Sequence, residues 1–252
     1  MSRAVAASAP TVLITGSARR IGRAIARDLA ANGWRVCVHY RRSAHEAEAL
    51  VEEIRQAGGT AEALAADLAV EADVASLVPR CAEVLGAPIC LINNASEFLV
   101  DTVATVAPET WDTHLDINLK APVFLAKSLF LALPADAVGN VINIIDQRVW
   151  KLTPDFFSYT ISKAGLWTAT RTLAQALAPR VRVNAIGPGP VLKSVHQTEA
   201  DFAREAASTL LKRGPTPEEI AAAVRFILAS PTLTGQMIAL DGGQHLTWSS
   251  EE

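Results

Sequence analysis

The sequence predicts an α/β fold: a parallel sheet wound on both faces by helices. Two observations carry this. Short apolar, β-branched runs alternate with amphipathic helical patterns along the whole chain, and such alternation closes into a parallel sheet through crossover helices. The first apolar run passes through a glycine-bearing turn into the first helical pattern. Glycine lets the backbone approach a phosphate there, and the helix N-terminus offers free N–H groups and a favourable dipole.

Bulk properties agree. The chain has 252 residues, half of them apolar and 19% charged, enough for one large domain with a substantial core. Net charge is −3 and there is no basic block, so neither nucleic acid nor a membrane is an expected partner. No apolar run approaches the ~20 residues that span a bilayer. The opening MSRAVAASAP lacks the apolar core of a signal peptide. Cys37, Cys81 and Cys90 are odd in number and unpaired in spacing, and Cys37 and Cys90 sit in apolar runs. They read as small core residues of a reduced, cytoplasmic protein. The five histidines have no metal-ligand spacing, so no metal is expected.

The elements follow in order. Thr11–Thr15 is a buried strand, Gly16–Gly22 the phosphate turn with Arg20 and Ile21 inside it, and Arg23–Ala31 a helix closed by Asn32-Gly33. Arg20 should point at cofactor phosphates or the substrate mouth, the alternative being an exposed residue at the helix start. Trp34–Tyr40 is the second strand. An acidic residue about 20 positions past the glycines would hold an NAD ribose, yet none occurs between Asp28 and Glu46. Instead His39, Tyr40, Arg41, Arg42 and Ser43 gather where the 2′-phosphate of NADP would sit, and arginine forks suit phosphate oxygens. A solvated basic turn is the alternative.

Ala44–Ala57 is a helix and Thr60–Ala66 the third strand, which ends in Asp67-Leu68. Asp67 lies at a ligand-binding strand end, or else caps the helix around Glu71–Leu85. Pro88–Asn93 is the fourth strand, and it runs into Asn94, Ala95, Ser96 and Phe98. Phe98 either faces a flat substrate or is an ordinary loop hydrophobe. Pro108–Leu133 reads as one long helix carrying a polar Asn118. Val141–Ile145 is the fifth strand and ends in Asp146. Pro154 marks a loop, and a helix then runs to about Ala178. Val181–Ile186 is the sixth strand, followed by Gly187-Pro188-Gly189-Pro190. Residues 191–213 have no strand pattern and read as a mobile substrate loop with a short helix. Thr216-Pro217-Glu218-Glu219 is a strong helix start, and Gln236–Leu240 is the last strand.

Tyr159 and Lys163 are four apart and share a helical face. An ammonium beside a phenol favours the phenolate and would draw its pKa down from ~10, which suits a proton donor. Chance spacing of two surface residues is the bland alternative.

These motifs together resemble the short-chain dehydrogenase/reductase family over nearly the whole chain. The resemblance implies a single-domain Rossmann-type doubly wound parallel sheet of seven strands in the order 3-2-1-4-5-6-7, spanning residues 1–252. It makes Tyr159 and Lys163 the active pair. It gives Asn118 a water that leads to the lysine, Asp67 and Leu68 the adenine, Asn94 and Ala95 the ribose, and Pro188-Gly189 the nicotinamide face. It implies a homotetramer joined through the helices around Asn118 and Tyr159. Four departures from the common pattern occur together: Arg20 for a glycine, His39–Ser43 after the second strand, Asn-Ala-Ser-x-Phe ending in Phe98, and Asp146 for the usual serine thirteen residues before the tyrosine.

That combination is similar to the pteridine reductases and the related bacterial dihydromonapterin and dihydrofolate reductases. The likeness implies NADPH as cofactor, with 4-pro-S hydride transfer. It implies a pterin stacked between nicotinamide and Phe98, Asp146, Tyr159 and Lys163 as the catalytic set, and Arg20 and Ser96 touching cofactor phosphate or pterin. A carboxyl group suits a proton path to a ring nitrogen, whereas a serine hydroxyl suits a ketone oxygen. The alternatives are a 3-oxoacyl or other ketone reductase and, from another class, a non-catalytic NADP-sensing module. The C-terminal His245–Trp248 could reach a neighbouring subunit's site.

Overall fold

A computed structural model describes residues 9–248; most of the leading MSRAVAASAP stretch lies outside the described residues. Seven strands form one parallel sheet: β1 Thr11–Ile14, β2 Arg35–Tyr40, β3 Thr60–Ala65, β4 Cys90–Asn93, β5 Gly139–Ile144, β6 Val181–Pro188 and β7 Met237–Leu240. Their order is β3-β2-β1-β4-β5-β6-β7, as expected. The reversal of strand order falls between β1 and β4, where Leu13 pairs with Leu91. That switch point opens the crevice in which doubly wound sheets bind ligands.

Period-2 alternation sorts the core. Val12 and Ile14 face α1 (Arg20–Ala31), α2 (Ala44–Gln56) and, further along, α8 (Pro217–Ala229). Leu13 faces the other layer, which holds α3 (Glu71–Leu85), α5 (Ala121–Ala132) and part of α6 (Phe157–Leu177). At the centre of the sheet both faces are dry, so β1 and β4 read as near-continuous apolar runs, whereas the edge strand β3 is largely half-exposed. Cys37, Cys81 and Cys90 are all buried in these layers. No helix among the described residues is long and apolar enough to cross a membrane.

Most strand ends fall within two residues of the sequence reading, and three differences bear on the site. α1 begins at Arg20, not Arg23, so the turn after β1 is short. β6 runs on through Gly187 and Pro188, because these residues pair with Ala239 and Leu240 of β7. The long helix expected over 108–133 is α4 (Pro108–Leu115), a π-helical turn over Asp116–Lys120, and α5. Pro122 has no N–H to return to the Asn118 carbonyl, so the ladder widens there by one residue. Such π turns often mark functional sites, and this one carries Asn118. The segment 191–213 contains α7 (Glu199–Ser208). α8 starts as its sequence says, with Thr216 and Glu219 in a reciprocal capping box.

Candidate active site

The C-terminal ends of the strands open into a cleft of about 530 Å³ along β1, β2 and β4. Its floor is the turn from β1 into α1. Gly16 has φ +62°, and a Cβ on it would meet the Ala95 Cα at 2.9 Å. A Cβ on Gly22 would stand 2.6 Å from the Gly16 carbonyl oxygen. Both positions therefore need glycine for the turn to lie flat against the β4 loop. Asn94 pins that loop from the other side by donating to the Thr15 and Gly16 carbonyls at 2.9 and 3.0 Å. No acidic residue stands in the first turn of α1, so its free N–H groups face the cleft without a competing carboxylate. Ile21, Asp67, Leu68, Ala95 and Ser96 also line it.

His39 does not supply charge to this cleft as the sequence suggested. It is buried in β2, its Nδ1 accepts from the Gly16 N–H at 3.0 Å, and its Nε2–H donates to the Ala66 carbonyl at 3.1 Å. Burial pushes its pKa down to about 4, so it is a neutral strut beneath the turn. Arg41 is also committed, to Glu97 across the cleft mouth at 2.7 Å. Arg42 lines the cleft beside Tyr40 and Ser43 and makes no ion pair among the described residues. Asp67 does not cap α3, whose N-cap is Val70; its carboxylate accepts from the Ala69 N–H at 3.0 Å and shapes its own turn. Arg20 does reach the mouth, but its guanidinium donates to the Leu192 and Lys193 carbonyls at 3.0 Å. It thus fastens the start of the 191–213 segment over the cleft rather than waiting free for phosphate.

Beyond the turn lies the second half of the site. β5 delivers Asp146, which caps a short 3₁₀ turn by accepting from the Arg148 N–H at 2.8 Å. Its other oxygen accepts from the Tyr159 hydroxyl at 2.9 Å. Lys163, one helical turn on and 2% exposed, donates to the Ile144 carbonyl at 3.0 Å. An ammonium carries three donors, so this contact leaves others for a ligand. The lysine does not pull the tyrosine toward phenolate, as the spacing alone implied. Burial first, and Asp146 second, push the Tyr159 pKa well above its ordinary value, because a phenolate beside a carboxylate in a dry site is unfavourable. Burial raises the Asp146 pKa too, opposed by Arg148, Tyr159 and Lys163. Burial also lowers Lys163 to about 8. Tyr159 therefore holds its proton firmly at neutral pH.

Phe98 is no ordinary loop hydrophobe. Its ring stacks on Phe156 at 4.2 Å and 13°, and meets Tyr159 edge-on at 4.7 Å. Phe156 was not legible as a site residue. It has φ +55°, an arrangement that costs about 1–3 kcal/mol for a bulky side chain and tends to persist at functional sites. The Arg148 guanidinium sits over the Phe156 ring at 5.2 Å. Asn118 is present as expected, but its side chain has no capacity left for a water. Its oxygen accepts from Ser96 Oγ at 3.1 Å and the Glu97 N–H at 2.9 Å, and its amide donates to the Glu97 carbonyl and Ser162 Oγ. It clamps the Ser96–Glu97 segment beneath Phe98. Pro188 ends β6, and the Gly189 N–H donates to the Leu240 carbonyl at 2.9 Å. The C-terminal turn is tied within this chain, His245 to Asp241 at 2.6 Å and Thr247 to Lys151.

Comparison with known proteins fits this geometry. Residues 16–245 match the family model described as enoyl-(acyl carrier protein) reductase. The 3-oxoacyl-(acyl-carrier-protein) reductase of Synechocystis sp. is 33% identical, over 94% of this chain and 98% of that protein. The structure of FolM alternative dihydrofolate reductase 1 from Brucella suis in complex with NADP is 51% identical, with a TM-score of 0.93, and covers 96% of this chain and 97% of that one. The corresponding protein from Brucella canis, complexed with NADP, is 50% identical with a TM-score of 0.91 and covers 96% of each chain.

Proposed function

Because the chain belongs to the short-chain dehydrogenase/reductase family, we propose that it is an NADPH-dependent reductase of dihydropterins or dihydrofolate. One observation carries the substrate class. A carboxyl group, Asp146, accepts from the Tyr159 hydroxyl at 2.9 Å, and the Tyr159 ring packs at 75° to the Phe98 ring with 4.7 Å between centroids. A flat ring with a reducible C=N bond needs both features: an aromatic face to stack on and an acid path to nitrogen. The Brucella proteins, at 51% and 50% identity over nearly the full length, favour this reading over ketone reduction, which the 33% relative supports. The intact Tyr159–Asp146 contact argues against a sensing module, which has no need of an acid there.

NADPH supplies the hydride when bound. The cleft fits it: the N–H groups at the start of α1, at Ile21 and Gly22, would suit the pyrophosphate while Gly16, its own N–H held by His39, keeps the turn flat, and Arg42 and Ser43 would suit the 2′-phosphate. Of the other residues that line the cleft, Tyr40 and Arg41 would flank that phosphate, Asp67 and Leu68 would border the adenine, and Asn94, Ala95 and Ser96 would border the ribose. Lys163 has spare donors that would hold the nicotinamide ribose, and Pro188-Gly189 would stand at the nicotinamide end. Tyr159 gives its proton to the substrate nitrogen. Asp146, with its pKa raised by burial, holds and returns a proton to Tyr159, so one solvent proton is consumed per turnover. The enzyme acts in the cytoplasm as a homotetramer, and half-exposed Phe124 with Leu131 on α5 supports a helical interface. A mass measurement in solution reads the oligomer.

Two outcomes test the cofactor and the charges. Arg42→Ala should raise the KM for NADPH about 10-fold, since a charged hydrogen bond is worth ~1.5–3 kcal/mol, and should leave weak NADH binding alone. Equal affinity of the wild type for NADH and NADPH contradicts the assignment. The second concerns pH. Lys163 loses its proton at about 8, so the ammonium is present below that pH and absent above it. The kcat/KM for reduction should fall as pH rises through that value; a profile flat well beyond it shows that the charge is not used.

A further inference from the structure

A chain of buried polar groups lies behind the aromatic pair and takes no part in the chemistry above. Asp101, Ser158 and His114 are 2%, 0% and 0% exposed. The Leu99 N–H donates to His114 Nε2 at 3.0 Å. That nitrogen is therefore an acceptor, so the ring carries its proton on Nδ1, which donates to Ser158 Oγ at 2.7 Å. The Ser158 hydroxyl in turn donates to Asp101. Asp101 also accepts from the Ser158 N–H at 3.2 Å, and its carbonyl takes the Phe157 N–H at 3.3 Å. Phe156 offers no side-chain cap to α6, so Asp101 caps that helix from a distant segment, where the dipole favours its charge. The three bonds from the Leu99 N–H through His114 and Ser158 to Asp101 all run in one direction.

The residue types are those of a nucleophilic triad, but the order and the burial exclude one. The serine stands in the middle, its proton already goes to the carboxylate, and nothing can reach it from solvent. The ends of the chain are what matter. Leu99 follows Phe98, and Ser158 precedes Tyr159. The His114 ring also packs edge-on against Tyr159 at 5.9 Å. Through these bonds the segment carrying Phe98 and the helix carrying Tyr159 are fixed to each other at 4.7 Å between rings.

We infer that His114, Ser158 and Asp101 are positioning residues that set the gap between Phe98 and Tyr159, and with it the fit of the flat substrate. The substrate half of this statement rests on the pterin reading; the ring geometry does not. Two readouts keep them apart. In the full-length enzyme, with 4-fluorophenylalanine placed at Phe98, His114→Asn removes the acceptor for Leu99 and keeps a donor toward Ser158. Its ¹⁹F resonance should shift and broaden, and His114→Gln, whose amide oxygen can reach the Leu99 N–H but which leaves Ser158 without its donor, should bring the line part of the way back. Unlabelled His114→Asn should raise the KM for dihydrobiopterin about 10-fold, the cost of an orphaned buried N–H, with kcat within about 3-fold of wild type and NADPH affinity unchanged. His114→Gln should recover part of the KM. If His114→Asn does not fold, Ser158→Ala breaks the chain at its centre with little change of volume and should give the same shift.

An unmoved ¹⁹F line in a folded His114→Asn or Ser158→Ala overturns the inference. So does a parallel loss of NADPH and substrate binding that glutamine fails to rescue, because that is a general structural role. A shifted line together with a wild type that turns over only β-keto thioesters leaves the positioning role standing and removes the pterin reading.

Discussion

Tyr159→Phe should lower turnover by roughly 10²–10⁴ while NADPH binding stays near wild type. The substitution deletes one oxygen and leaves the ring that meets Phe98 at 4.7 Å. The proton is the quantity lost. Tyr159 keeps it at neutral pH because burial and Asp146 both disfavour the phenolate, so the tyrosine is set to donate rather than to abstract. Removing the hydroxyl also deprives Asp146 of a hydrogen bond it accepts, which should raise the carboxyl pKa further. Steady-state turnover alongside cofactor fluorescence separates the two effects. Unchanged turnover would assign the proton to another group, and lost cofactor binding would assign Tyr159 a structural part.

Asp146→Ser is the second large effect, and its sign depends on the substrate. It installs the residue common in the family at a position where the carboxyl accepts from both Tyr159 and the Arg148 N–H. On a ketone the change should be tolerated or beneficial, because a hydroxyl can donate to the carbonyl oxygen. On a dihydropterin it should remove most of the activity, because a hydroxyl of very high pKa is a poor proton relay. Phe98→Ala provides a companion test. Aromatic stacking adds ~0.5–1.5 kcal/mol beyond burial, so dihydropterin and antifolate binding should weaken while NADPH affinity holds.

The fold was legible because period-2 and helical patterns are local and strong. The parallel, doubly wound sheet followed from alternation, its strand order came with the family resemblance, and Val12, Leu13 and Ile14 fall on alternate faces as strand geometry demands. The candidate reacting groups were legible as well: Asp146, Tyr159 and Lys163 were named from the sequence, and the fold brings the tyrosine hydroxyl onto the carboxylate. Their environment was not. The spacing of Tyr159 and Lys163 says nothing of the desolvation that raises one and lowers the other. His39 looks cationic beside two arginines, yet burial in β2 neutralises it. Arg41 and Glu97 are far apart in sequence, and only the folded sheet reveals that they pair. Phe156 could have drawn notice as an aromatic just ahead of Tyr159, but its left-handed backbone is a tertiary feature. The π turn at Asn118 had one local sign, Pro122 four residues on, which the regular apolar spacing of the helix obscured.

The most direct test of the proposed activity is the kcat/KM of the wild-type enzyme with NADPH on dihydrobiopterin, dihydromonapterin and dihydrofolate, measured beside a panel of β-keto thioesters. The account predicts turnover of at least one of the three and little or none of the thioesters, with Asp146→Ser abolishing the first activity. Turnover confined to the thioesters, improved by Asp146→Ser, would contradict it and leave a ketone reductase.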